Sequence, residues 1–306
     1  MKALFSRVKP YLRWVILGGT LFFLAQALKE NWQEVAEIGI EGIGWREVAI
    51  AFGITLLAHV WSGWVWLWIL REFDRAPNRR WGMQVYLKTN IAKYLPGNVW
   101  HFYGRIWAIR DTGIPLEIAA LSVLLEPLLM AAAALAIAVA GSASDYAILQ
   151  AIALVAVLGA VHPRVLNPVT RYLGKLKLKA SKSSQSPEIA PLSRYPVRPF
   201  LGEIGFVGLR GIGFLWTMRA IAPVEWSQLP AILGAFGIAW LLGLVVPGAP
   251  GGIGVFEATA IALLEGRLAP AVLLSAVVIY RFVSVVAEAA AAAIAWWDEQ
   301  LSPKYK

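Results

Sequence analysis

Runs of about twenty predominantly apolar residues recur along this 306-residue chain, and they decide what it can fold into. A bilayer core of about 30 Å takes roughly 20 apolar residues per helix, and lipid offers nothing to free backbone N–H and C=O groups, so such runs cross as helices. Six windows stand out, near Tyr11–Leu28, Val48–Leu70, Glu117–Ala140, Tyr146–Val161, Phe200–Ala222 and Pro270–Trp297. Hydrophobic residues make up 58% of the chain and charged residues 15%, far from the balance of a soluble domain whose surface must be wetted. The expectation is an all-α polytopic membrane protein. The first window follows Lys2, Arg7 and Lys9 as a signal peptide would, but no small-residue cleavage site follows and "LFFLAQALKENW" carries it to spanning length. It reads as a retained first helix.

The formal charge of +9 is arranged for orientation rather than for nucleic acid. Lys2, Arg7, Lys9 and Arg13 precede the first window, whereas the loop after it carries Glu30, Glu34, Glu37, Glu41 and Glu47. Arg71, Arg75, Arg79 and Arg80 follow the second window, and a long basic stretch from Arg164 to Arg198 lies between the halves. Both termini are therefore placed in the cytoplasm and the chain in the inner (plasma) membrane. Trp61, Trp64, Trp66, Trp68, Trp296 and Trp297 read as rings anchored at headgroup level. There is no cysteine, which removes disulfides, thiolate ligands and cysteine nucleophiles. His59, His101 and His162 are scattered without a metal-binding spacing, and each reads as a hydrogen-bonding residue at the interface.

Two further apolar regions, about Trp81–Arg110 and Leu229–Arg267, are interrupted by "KYLPGNVWHFYGR" (Lys93–Arg105) and "VVPGAPGGIGVFEA" (Val245–Ala258). Proline removes a backbone donor and glycine permits a sharp reversal, so Pro96, Gly97, Pro247 and Gly248 are hinge candidates in two broken helical hairpins. A hairpin crosses an even number of times whether it spans or re-enters, so the loop charges leave that choice open. The first hairpin follows a helix arriving inside and the second a helix arriving outside. Residues 1–174 and 200–306 then form halves of inverted topology, joined by a cytoplasmic linker over 175–199. In such repeats two interrupted segments meet near the midplane and form the substrate site. Asn98 suits the N-cap of the arm that follows, and Gly251, Gly252 and Gly254 would open the other arm with bare N–H groups that favour an anion, phosphate above all.

Charges recur at matching places with exchanged sign. Arg105 lies nine residues after Pro96 and Glu126 in the next window; Glu257 lies ten after Pro247 and Arg281 in its next window. Ionisable groups inside a membrane cost several kcal/mol unless paired or hydrated. Arg105 with Glu126 and Arg281 with Glu257, or the crossed pairs, both satisfy this. Glu203, Arg210 and Arg219 line the fifth window, and Glu288 stands two turns from Arg281. The plainer alternative is that the pairs only pin helices together and the glycines only permit close packing.

The two quoted motifs, with their separation and the helix pattern between them, resemble the lysylphosphatidylglycerol synthase transmembrane family, best known for the flippase domains of multiple peptide resistance factors. The resemblance covers nearly the whole chain. Its more specific motif holds Pro247, Gly248, Gly251, Gly252, Gly254 and Glu257; Pro96, Gly97 and Arg105 belong to the other. It implies a membrane domain that moves aminoacylated phosphatidylglycerol from the inner to the outer leaflet, or a stand-alone domain with a polyprenyl-lipid role. Asn98, Trp100 and His101 stand where many relatives carry smaller residues, and no soluble aminoacyl-transferring domain precedes Lys306, so synthase activity is not expected.

The expected function is a lipid flippase or transporter for a phosphate-bearing membrane phospholipid, with Asn98, His101, Arg105, Glu126, Gly251, Gly252, Glu257 and Arg281 at the binding site. No catalytic residue, metal or cofactor is expected, and no nucleotide-binding loop is visible. The alternatives are a polyprenyl-phosphate-linked lipid carrier, a membrane transferase, for which Asp74, Asp111, Asp145 and Asp298 are dispersed, and a scaffold for a lipid-modifying partner enzyme. Headgroup, energy source and oligomeric state stay open.

Overall fold

A computed structural model of the chain describes residues 43–75, 77–95, 99–141, 147–168, 192–246 and 249–301, with positions 29 and 33. The first apolar window, Glu30, Glu34, Glu37 and Glu41 of the acidic loop after it, the hinge residues Pro96, Gly97, Pro247 and Gly248, and Asn98 lie outside the described residues, whereas Glu47 lies in the first turn of the next helix. The principal helices are α1 (Trp45–Glu72), α2 (Arg79–Asn90), α3 (Trp100–Asp111), α4 (Leu116–Gly141), α5 (Ala147–Val161), α6 (Val197–Arg219), α7 (Leu229–Val245), α8 (Val255–Leu264) and α9 (Pro270–Leu301). No strand occurs among the described residues.

Among the described residues four helical segments are long and apolar enough to cross a membrane: α1, α4, α7 with its 3-10 lead-in (Trp226–Val245), and α9. The protein is all-α and membrane-embedded. Two expected spans differ from these four. The window ending at Val161 gives α5, only 15 residues long. The window from Phe200 gives α6, whose length suffices but which carries Arg198, Glu203, Arg210 and Arg219. Conversely α7, read as one arm of a broken hairpin, reaches spanning length with its lead-in.

Small residues set how closely these helices approach. In lipid there is no hydrophobic drive between helices, so dispersion contacts at close range must hold them. Gly202, Gly205 and Gly213 on α6 face α1, where added Cβ atoms would fall 2.7 Å from Val65, 3.1 Å from Trp61 and 2.7 Å from Thr55. Trp61 uses the proximity to donate from Nε1 to the Gly202 carbonyl at 2.8 Å. Across the α4–α7 contact, Gly234 lies against Gly141, and Gly237 against Ala134 and Ala138. Phe206, Phe214, Phe236, Phe256 and Tyr280 fill the space between α6, α7, α8 and α9.

The first hairpin is strapped to the last helix. Asn78 caps α2 by accepting from the N–H groups of Arg80 and Trp81. Arg80 Nε and Gln84 Nε2 each donate to Asp298 at 2.7 Å, and Lys88 Nζ donates to Glu299 at 2.7 Å. Two expectations are corrected on the surrounding walls. Trp66 is no headgroup anchor: it is 0% exposed and packs on Tyr86, with ring centroids 5.8 Å apart. The stretch read as a linker lies outside the described residues up to 191, but from Leu192 it is held. Leu192 is buried and exchanges two hydrogen bonds with Asn167, and α6 already begins at Val197.

A Cβ added at Gly237 would sit 2.6 Å from the Ala134 carbonyl oxygen, whereas one at Gly53 meets nothing within 4 Å. Gly237→Ala is expected to destabilise the protein by about 1–3 kcal/mol through overpacking, and Gly53→Ala to leave stability unchanged or raise it by about 0.5–1 kcal/mol. Thermal unfolding of both variants in detergent checks this.

Candidate functional site

Each hairpin breaks in a short tight turn, and the two turns meet. After α2 the chain makes a 3-10 turn, Ile91–Tyr94, and leaves it extended at Leu95. After α7 it turns extended at Val246, winds one 3-10 turn at Pro250–Gly252 and enters α8 through Gly254. Gly251, Gly252 and Gly254 hold φ of 60°, 73° and 87°, where a side chain is strained, which is why this run is glycine. A Cβ on Gly251 would also lie 2.7 Å from the Tyr94 ring. The tip of one hairpin is thus seated on the tip of the other.

Beside this contact lies a cavity of about 200 Å³. The first hairpin contributes Asn90, Lys93, His101 and Arg105, the second Gly251, Gly252 and Phe256; α4, α6 and α9 add Glu126, Arg210, Tyr280 and Arg281. Among the described residues four cationic side chains line it against one carboxylate, Glu126. Among the described residues, α3 separates the cavity from an exposed surface. His101, Phe102 and Arg105 face the cavity, while Val99, Trp100 and Tyr103 are exposed on the other side.

The cations are held by partners of three kinds. Arg105 pairs with Glu126, both buried, reaches Asn90 Oδ1 at 3.0 Å and lies 3.9 Å from the centre of the Tyr86 ring. Tyr86 in turn donates to the second Glu126 oxygen at 2.6 Å. Arg281 pairs with Glu257 and donates to the carbonyls of Gly251 at 3.0 Å and Gly252 at 3.5 Å. The other Glu257 oxygen accepts from the Gly254 N–H at 2.6 Å. Both expected pairs therefore form uncrossed. Glu288 does not turn to Arg281. It takes Lys93 at 2.5 Å and stands 3.2 Å from His59 Nε2, which is also 3.2 Å from Arg210 Nη1. Arg210 Nη2 donates to Ser284 Oγ at 2.9 Å. Glu288 is thus the carboxylate serving two cations, Lys93 directly and Arg210 across His59.

Donors are left over. Arg105 Nε, Arg210 Nε, Trp240 Nε1, Tyr280 Oη and His101 Nδ1 are buried without a hydrogen-bond partner among the described residues, and all five belong to side chains lining the cavity. Buried polar groups left unmade cost about 1–3 kcal/mol each, so such a gathering is unusual outside a binding site. Guanidinium and indole N–H groups only donate, which suits a ligand rich in acceptor oxygens. Among the described residues no three His, Asp or Glu side chains gather as metal ligands would.

No protein-family model matches the chain, and no curated protein matches it. The resemblance to the lysylphosphatidylglycerol synthase transmembrane family accordingly rests on the two motifs.

Of the residues expected at the site, the structure brings His101, Arg105, Glu126, Gly251, Gly252 and Arg281 to the cavity wall and sets Glu257 one layer behind; Asn98 lies outside the described residues. Lys93, Arg210, Tyr280 and Trp240 join them without having been singled out as site residues. His59 is corrected: it is buried between Arg210 and Glu288, not at the interface. An ionisable or imidazole group in mid-window, as at His59, Arg210 and Glu288, was the available signal.

Removing one member of a buried pair strands the other, at about 3–5 kcal/mol, whereas an apolar replacement of both is often near neutral. Arg105→Met alone is expected to lower stability by that order, and Arg105→Met with Glu126→Leu to recover most of it. A double-mutant cycle on thermal unfolding measures the coupling.

Proposed function

We propose that the protein moves a phosphate-bearing lipid between leaflets, with the headgroup passing through the cavity and the acyl or prenyl tails remaining in the bilayer. The observation that carries this reading is the surplus of cationic, hydrogen-bond-donating side chains around one cavity, among the described residues four cations against three paired carboxylates with donors unspent. A phosphate supplies both the negative charge and the acceptor oxygens that such a wall lacks. The α3 wall, apolar and aromatic on its outer side, supports entry from lipid rather than from water.

In the full reading the chain has six spanning helices and two broken hairpins arranged as an inverted repeat, with both termini cytoplasmic in the inner membrane. The pairs support the repeat: Arg105 on α3 meets Glu126 on the helix that follows it, and Glu257 on α8 meets Arg281 on the helix that follows it. Rocking one half against the other would expose the headgroup to each side in turn. Aminoacylated phosphatidylglycerol and polyprenyl-phosphate-linked lipids share the recognised group, and the test separates them. A lipid-modifying enzyme would supply either one.

Proteoliposomes carrying headgroup-labelled phosphatidylglycerol, its lysyl form or a polyprenyl-phosphate lipid, with leaflet accessibility followed over time, decide the matter. Transfer of at least one lipid is expected. It should fall about tenfold or more in Arg105→Gln, Arg210→Gln and Arg281→Gln at equal expression, the loss of one charge-assisted contact being worth about 1.5–3 kcal/mol. Undiminished transfer in all three variants overturns the reading, and a covalently altered lipid without transfer replaces it with a transferase.

A further inference from the structure

What the cavity refuses follows from which of its acceptors are already spent. Among the described residues Glu126 is the carboxylate on its wall, and both oxygens are taken, one by Arg105 and the other by the Tyr86 hydroxyl at 2.6 Å. Asn90 Oδ1 accepts from Arg105 Nη2 at 3.0 Å, and the carbonyls of Gly251 and Gly252 accept from Arg281. Glu203, Glu257 and Glu288 do not line the cavity, and the last two are held by Arg281 and Lys93. The residues at the hairpin tips that lie outside the described set, Pro96, Gly97, Asn98, Pro247 and Gly248, include no acid.

An aromatic face is the other means of holding an ammonium group in an enclosed site. Those on the wall already carry guanidinium groups. Arg105 lies 3.9 Å from the centre of the Tyr86 ring, and Arg281 lies 5.7 Å from that of Phe256. Arg210 lies 5.2 Å from the centre of the Trp240 ring and 5.0 Å from that of Tyr280. The arginines occupy the seats that a cationic headgroup would need.

Unspent donors stand against these spent acceptors. Arg105 Nε, Arg210 Nε and Trp240 Nε1 are buried without hydrogen-bond partners among the described residues. All three only donate, so they can answer phosphate oxygens and cannot answer an N–H. Charge runs the same way. Lys93, Arg105 and Arg281 each have a carboxylate, which leaves Arg210, turned to His59 and Ser284, as the cation in excess among the described residues lining the cavity. A headgroup whose charge is one phosphate matches that excess; a lysyl ester of the same lipid brings two ammonium groups with it and is cationic overall.

Resting on the transport reading, we propose that the cavity selects against ammonium: it takes a lipid whose headgroup charge is phosphate alone, unmodified phosphatidylglycerol or a prenyl phosphate, and excludes the aminoacylated form. This parts the chain from the aminoacylated cargo that its two motifs imply by resemblance. Aminoacylation of a lipid removes it from this protein's cargo.

The test uses the full chain in detergent with dihexanoyl-phosphatidylglycerol and its lysyl ester, both water-soluble. Calorimetric titration is run in mildly acidic buffer, in which the ester bond persists, at about 0.15 M salt, where surface charges are screened beyond about 8 Å. The unmodified lipid is expected to bind saturably and the lysyl ester about tenfold or more weakly, an uncompensated like charge at close range being worth at least that. Asn90→Asp keeps the size of the amide and an oxygen for Arg105 while adding a carboxylate to the wall, so the preference should shrink by about tenfold. Comparable or tighter binding of the lysyl ester to the unaltered protein overturns the selectivity and leaves the transport reading standing. So does a preference that Asn90→Asp leaves unchanged, because the charge of the cavity is then not its cause. Failure of both lipids to bind overturns both. The comparison on the unaltered protein decides the proposal even if the variant does not fold.

Discussion

A broken helix leaves backbone groups that lipid cannot satisfy, and side chains brace both breaks of this structure. At the second break the answer is a pair of side chains. Glu257 takes the N–H of Gly254, at the head of α8, and Arg281 reaches from α9 to the carbonyls of Gly251 and Gly252 while holding Glu257. One ion pair thus stands in for a missing turn of helix. At the first break Arg105 binds Asn90, the last residue of α2, and fastens α3 to α4 through Glu126. The charges that look like a binding site are in the first place the scaffold of the two turns, and only donors beyond that duty are free for a ligand.

Which donors those are becomes clear around Glu288. A neutral imidazole has one Nε2, and at His59 that atom could accept from Arg210 or donate to Glu288 but not both. Either tautomer leaves one neighbour short: Arg210 keeps an unspent donor, or Glu288 relies on Lys93 alone. Among the described residues Glu288 Oε2 is without a hydrogen-bond partner, as is Arg210 Nε. The cluster is underfilled by design of its composition, three ionisable groups and one imidazole on four different segments, and an anion entering next to Arg210 and Lys93 would relieve it without breaking the pairs that hold the hairpins.

The parts of this arrangement legible in the sequence are those with local causes. Apolar length gave the helices, Pro-Gly interruptions gave the two breaks, and a charge about one arm beyond each break gave Arg105 and Glu257 with partners in the next helix. What the sequence did not show depends on tertiary proximity. His59 and Arg210 are 151 positions apart, and nothing near either predicts the other. Trp66 has the same local setting as Trp64 and Trp68, and only the packing of α2 onto α1 turns it into core beneath Tyr86. α6 was read as an ordinary span because its glycines and aromatics look apolar on average; its charges matter because the helix is central, in contact with α1, α4, α7 and α9.

Under the transport reading, lateral access for a lipid headgroup has to contend with α3, which among the described residues stands between the cavity and the exposed surface formed by Val99, Trp100 and Tyr103. This helix has only 12 residues, too few to be stable in isolation, so its position is set by its tertiary contacts. The strongest of these is the Arg105–Glu126 pair, and Arg105 is also the side chain a phosphate would engage. Under the transport reading, then, a headgroup in the cavity competes with Glu126 for the contact that fixes the wall, and Glu126 released from Arg105 still keeps Tyr86 as a donor.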